Sequence, residues 1–287
     1  MGLEIAIVFA FGAMLCWAVG DFLIQKSTRK IGDIESLVVI GAIGTIVLFP
    51  LILKDFNLIF TLPNLILLLV LGVITFVAAI FDFEALKIAK LSTADIIMEL
   101  ELPITISLGY IFFREGLSII QFVIISLIFI GIILVATESF AHWKIKWEKG
   151  LLMAILAAVG MGLVNFLTSA SSRSISPIMA IWAPWVIFTL FCVIVLIKRK
   201  GFSKLAKDVS KYKWLLIWMG IIDTAAWLFY SFAVFDKHVG IITAITESYP
   251  AVAVFLGVWL NREKVNWHQY LGAALAIGSS ILLVFFI

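Results

Sequence analysis

The sequence predicts an all-α membrane protein of ten transmembrane helices, arranged as two inverted five-helix repeats. Three observations carry this. The 287 residues are 63% hydrophobic and only 14% charged, with a mean hydropathy of +1.18, whereas soluble domains carry about 25% charged residues. Apolar stretches of about 20 residues, divided by short polar breaks, recur along the whole chain. The chain also repeats itself. Reading position n against n+148 pairs Gly72 with Gly220, Ala78 with Ala226, Phe81 with Phe229, Ala85 with Ala233 and Glu99 with Glu247. The match continues into Arg114-Glu115 and Arg262-Glu263, and self-similarity at a fixed period marks a duplicated architecture.

The expected spans of the first half are 3–24, 34–53, 64–86, 92–112 and 119–136, and those of the second are 150–170, 177–197, 214–236, 240–260 and 267–287. Backbone polar groups in lipid must be satisfied within the segment, so each span is a helix. The first is not a cleaved leader, because Glu4 stands where Lys or Arg would be needed and the apolar run is too long. The first spans of the halves align at the shorter offset of 144, with Asp21-Phe22-Leu23 facing Asn165-Phe166-Leu167. A loop at 198–213 absorbs the difference. This gives a first repeat at 1–136, a connecting loop at 137–149 and a second repeat at 150–287. Five spans per repeat is an odd number, so the second repeat is inserted upside down, about a pseudo-two-fold axis in the membrane plane. Spans 3, 4, 8 and 9, where the repeat is clearest, are expected nearest that axis. Cys16 and Cys192 fall in apolar runs without metal-ligand spacing and read as packing residues; no metal and no cofactor is expected.

All but Lys54, Arg114, Arg173 and Lys237 of the 21 Lys and Arg residues lie in loops 25–33, 87–91, 137–149, 198–213 and 261–266. The positive-inside rule puts those loops in the cytoplasm and both termini outside. The expected location is the cytoplasmic membrane, as a multi-pass monomer or weak dimer, with the bilayer and no nucleic acid as partner.

Acids occur where a membrane penalises them. Glu99 and Glu101 fall near the middle of the fourth span, Asp223 in the eighth and Glu247 in the ninth, with Asp21, Asp82, Glu84 and Asp95 nearer span ends. Each acid at a helix centre costs about 2.5–3.5 kcal/mol on insertion scales, and no Lys or Arg lies deep in any span. Such carboxyls face a cavity or stay protonated. In the first case they can exchange a proton for a cationic ligand; in the second they are structural. Asp95 and Glu99 share a helical face, as do Thr243 and Glu247 in the other half, while Glu101 is expected to point away. Pro103 and Pro250 follow in the same helices, where a missing N–H leaves a hinge or a free carbonyl. Trp17, Tyr230 and Tyr249 are the aromatics closest to repeated polar positions, and an aromatic wall beside carboxylates suits an amine. The candidate substrate-binding set is thus Glu99, Glu247, Asp21, Asn165, Trp17, Tyr230, Tyr249, Asp95 and Thr243, with hinges at Pro103 and Pro250.

Proline followed by an apolar run into Arg114-Glu115-Gly116-Leu117-Ser118, its counterpart from Pro250 to Arg262-Glu263-Lys264-Val265, and Trp17-Ala18-Val19-Gly20-Asp21-Phe22 resemble the drug/metabolite transporter superfamily, in its ten-span form with two EamA domains. The resemblance covers essentially the whole chain. The family pattern is Gly-Glu-Arg-Leu, so the inverted order Arg-Glu in this chain is a departure, and several of the family's members are described with cytoplasmic termini. The resemblance implies a secondary transporter of small metabolites, such as amino acids or related amine-bearing and amphipathic compounds, working by alternating access and often in efflux, with proton coupling as an option. A channel, a facilitative uniporter and a membrane-embedded enzyme are the alternatives. The enzyme fares worst, since His142, His238 and His268 are far apart and no nucleophile motif is present.

Overall fold

The structure, a computed structural model, describes residues 2–88, 97–137, 149–261 and 265–287. Among these, α1 (Leu3–Ile31), α2 (Asp33–Ile52) and α3 (Leu62–Ile88) are the first three spans. Then come α4 (Glu101–Leu108), which runs into a π turn at Gly109–Phe113, and α5 (Ile119–Ala136). The second half contains α6 (Lys149–Ser174), α7 (Met179–Lys198), α8 (Phe202–Ala233), α9 (Val239–Thr246), α10 (Tyr249–Asn261) and α11 (Trp267–Val284). Nine stretches of described residues are long and apolar enough to cross a membrane, α9 and α10 counting together, and Glu101–Phe113 is a shorter apolar helix. The expected fourth span, 92–112, lies partly outside the described residues, and so does Asp95.

Helix ends follow local chemistry. Helix α1 continues past residue 24 to Gly32, whose φ of 109° ends it and whose N–H bonds the Thr28 carbonyl; that conformation favours a residue without Cβ. The expected loop 198–213 is largely helical, which corrects the sequence expectation. Helix α8 begins at Phe202 and bends at Tyr212 (φ −113°, ψ 21°), because Lys204, Leu205, Ala206 and Lys207 are good helix formers. Leu205 is buried while Lys204, Lys207 and Lys211 are exposed, and the Lys204 Nζ donates to the Ile31 carbonyl at 3.1 Å. This ties loops 25–33 and 198–213 to one face, as span parity requires.

The inversion is written into α5 and α11. Ser118 and Gln121 form a capping box at the start of α5, and Asn266 and Gln269, each 148 residues later, form one at the start of α11. The Gln121 Nε2 donates to the Phe286 carbonyl at 2.8 Å, and the Gln269 Nε2 donates to the Val135 carbonyl at 2.9 Å. Each helix start therefore caps the other's end, and the two run antiparallel. Their crossing is close: a Cβ on Gly131 would lie 2.7 Å from the Gly272 carbonyl oxygen, as at small-residue crossings between membrane helices.

Packing is exchanged between the halves. Helix α1 packs most against α8 and α3 against α6, while α2 meets α7, α4 meets α9, and α5 meets α11. The pattern is unchanged when the halves are swapped. Helices that touch their own counterpart flank the pseudo-two-fold axis, so spans 2, 4, 5, 7, 9 and 10 lie beside it. Spans 3 and 8 do not share this arrangement, because each packs against the first span of the opposite half. That corrects their expected place nearest the axis.

Candidate functional site

The ladder breaks at equivalent points in spans 4 and 9. Glu99-Leu100 form a turn before α4, and Glu247-Ser248 form a turn between α9 and α10. Pro103 and Pro250 stand just beyond. Pro103 has no N–H for the Glu99 carbonyl, which accepts instead from Leu102 N–H at 3.3 Å. The breaks thus fall on the repeated glutamates themselves, and the prolines sit one turn or less after them.

Around the breaks the structure gathers most of the expected set. Glu247 is 4% exposed and accepts from Asn165 Nδ2 at 3.4 Å. Tyr230, fully buried, shares a 2.9 Å hydrogen bond with Thr243 Oγ1 and donates to the Asn165 carbonyl at 3.4 Å. The Tyr249 hydroxyl lies near the Asp21 carboxyl. Trp17 joins both tyrosines, its ring centroid 5.6 Å from that of Tyr230 and 6.2 Å from that of Tyr249. Glu99 is partly buried and lies close enough for its charge to act on Glu247.

Two members were not in the expected set. Glu101 does not point away: its carboxyl is hydrogen-bonded to that of Glu247. The helical-wheel argument failed because the turn at Glu99-Leu100 removes the 100° step on which it depended. A second signal was available, since Glu101 is the repeat equivalent of Tyr249, a residue already assigned to the pocket. Trp227 is the other, edge-on to Trp17 at 5.2 Å and to Tyr230 at 6.0 Å. Asp223 is buried and within electrostatic range of Asp21, which extends the row of carboxyls into α8.

The two halves of the site are alike in position and unlike in chemistry. Asp21 faces Tyr249 on one side, and the equivalents of those two residues on the other side are Asn165 and Glu101. A hydrogen bond between two carboxyls requires one proton between them. The Glu101–Glu247 contact sets two carboxyls side by side at the helix break, beside the aromatic cluster of Trp17, Trp227, Tyr230 and Tyr249.

On one face, a second cluster joins the repeats. Arg173 at the end of α6 pairs with Glu115 at 2.6 Å, stacks over Phe113 at 4.1 Å and donates to the carbonyls of Val234 and Lys237. Glu115 also accepts from the Val239 N–H, at 2.6 Å, at the start of α9. The preceding residue, Arg114, holds a left-handed φ of 56°.

The pattern of the EamA-like transporter family matches residues 4–137 and 148–285. No curated protein matches the chain significantly. A crystal structure titled only as that of a protein superposes with a TM-score of 0.80 at 15% identity, covering 98% of this chain and 96% of its own. At that identity the likeness is one of fold.

Proposed function

The chain belongs to the EamA-like transporter family, and on that premise we propose that it carries small amine-bearing metabolites, amino acids or related amphipathic compounds, outward across the cytoplasmic membrane by alternating access in exchange for protons. The observation that carries the reading is the Glu101–Glu247 hydrogen bond at a helix break lined by Trp17, Trp227, Tyr230 and Tyr249. With the shared proton in place, the pair tolerates the low dielectric of the membrane interior. An ammonium group that enters makes ion pairs with the carboxylates and cation–π contacts with the rings, and the proton leaves. Mutual exclusion of amine and proton at one site couples their opposite movements.

The repeat supplies the motion. Discontinuous helices from inverted halves meet at mid-membrane, and rocking one half against the other exposes the site alternately. Pro103 and Pro250 soften the helices at that level. Glu99, Asp21, Asn165 and Thr243 complete the polar lining, and Asp95, outside the described residues, is proposed to join it as the equivalent of Thr243.

Counterflow in proteoliposomes tests the reading, run over a panel of amines and amino acids with and without an inward pH gradient. Saturable counterflow accelerated by the gradient is expected. Flux that neither saturates nor shows counterflow would make the protein a channel. Counterflow indifferent to the gradient would make it a uniporter.

A further inference from the structure

At the lysine-rich face, the end of α1 and the start of α8 meet away from the carboxyl site. Residues 25–35 and 198–213 together carry ten cations against three acids, Asp33, Glu35 and Asp208, so the excess charge is not answered within these segments. On α1, an unbroken helix, Val8 and Leu15 are 69% and 52% exposed. At 3.6 residues per turn, Lys26 and Arg29 continue the stripe that Val8 and Leu15 begin, while Trp17 and Asp21 fall on the other side. The two cations therefore point outward toward lipid, as Leu15 does, about three turns nearer the membrane surface.

Aromatic side chains mark the same level on α8. The helix bends at Tyr212, and Trp214, Trp218 and Ile221 are exposed just beyond, where indoles collect at a bilayer interface. Lys213 stands 5.6 Å from the Trp214 ring. Lys30 of α1 and Lys211 of α8 each stand 5.0 Å from the ring of Tyr212, and the Lys204 bond to the Ile31 carbonyl holds the two helices together there. The fold thus brings ammonium groups from both repeats to one ring although they repel each other. An anion seated between them relieves that repulsion, and at this depth the anion a bilayer offers is a lipid headgroup.

We infer that Lys30, Lys211 and Lys213, with Tyr212 and Trp214, form a binding surface for an anionic phospholipid, whose phosphate the ammonium groups hold and whose chains lie along the exposed apolar residues of α1 and α8. A headgroup of net negative charge is selected, because the ammonium of a zwitterionic lipid would add one more cation to the cluster. Helix α1 belongs to the first repeat and α8 to the second, so the lipid bridges the halves on this face. The inference does not depend on the nature of the cargo.

Fluorescence quenching in vesicles tests it. With Cys16 and Cys192 replaced by serine, a bimane label at Ile217→Cys, a position exposed on α8, reports on the lipid beside it. Brominated phosphatidylglycerol and brominated phosphatidylcholine are compared at increasing fractions in a phosphatidylcholine bilayer. Phosphatidylglycerol is expected to quench with about fivefold higher relative affinity, as one lysine near a charged headgroup supplies. In Lys30→Gln/Lys211→Gln/Lys213→Gln the two lipids should quench alike, with phosphatidylcholine quenching still at the parent level because the helices keep their place. Lys54→Gln, on the other face, should keep the preference. Equal quenching by the two lipids in the parent, or a preference that survives the triple substitution, would overturn the inference. Displacement of phosphatidylglycerol by millimolar glycerol phosphate would also overturn it, assigning the surface to a soluble phosphate.

Discussion

Arg173 and Glu115 form a 2.6 Å ion pair that fastens the second repeat to the first on one face. The pair is largely enclosed, with side chains 20% and 13% exposed, and Glu115 also caps α9 through the Val239 N–H. Removing the guanidinium strands a charge that is only partly solvated. Arg173→Gln should lower stability by about 2 kcal/mol. Glu115→Gln in the same chain should recover part of that loss, because no unpaired charge then remains. Denaturation of the two single variants and the double variant in detergent gives the coupling. Additive losses would mean the pair holds nothing together.

Arg114 precedes Glu115 in a left-handed conformation, φ 56°, which favours glycine. Its side chain is exposed, so nothing is lost by removing it. Arg114→Gly should therefore stabilise the protein by roughly 0.5–1 kcal/mol, read as a higher melting temperature. A lower one would show that the side chain has a role in the turn.

The architecture was legible because it is written in composition and repetition: apolar runs, an odd span count and matched pairs such as Gly72 with Gly220. The site was only partly legible. Glu99 and Glu247 stood out as identical residues at equivalent positions, whereas Glu101 faced Tyr249 in the repeat comparison and was passed over. Identity is a poor detector where a duplicated site has diverged, since an acid on one side and a phenol on the other can occupy the same place. Trp227 was missed for a related reason, as its counterpart is the small residue Ala79. The helix at Phe202–Tyr212 was hidden by its lysines, which read as loop although they are helix formers.

The close crossing of α5 and α11 makes Gly131 sensitive to size. A Cβ there would lie 2.7 Å from both the Ala276 nitrogen and the Gly272 carbonyl oxygen, and backbone atoms cannot swing aside. Gly131→Val should cost about 1–3 kcal/mol through overpacking, whereas Gly278→Val should cost far less, because a Cβ there meets nothing within 4 Å. Comparable melting temperatures for the two variants would contradict this contact.

Sidedness follows from the same lysines. With Cys16 and Cys192 replaced by serine, cysteines at Ser203 and at Ile287 should respond oppositely to an impermeant thiol reagent on intact cells, with the terminal site labelled and the Ser203 site protected. The reverse labelling would place the termini in the cytoplasm, and the charge bias would then have misled.

The last prediction concerns the carboxyl pair. If an amine displaces the proton that Glu101 and Glu247 share, its apparent affinity must rise with pH, by up to about tenfold per unit for one proton released. Glutamine keeps the size and most of the hydrogen bonding of glutamate but cannot titrate. Glu247→Gln should therefore flatten the pH dependence of amine transport. Glu101→Gln should do so equally, because the proton belongs to the pair and either substitution ends the sharing. Glu99→Gln should reduce the slope less, since its influence on Glu247 is through space. Glu84→Gln, near the end of α3, serves as a carboxyl control and should leave the profile unchanged. Transport rates measured across pH in proteoliposomes decide it: if Glu101→Gln and Glu247→Gln both keep the parent slope and KM, the pair is a structural contact and the coupling must be sought elsewhere.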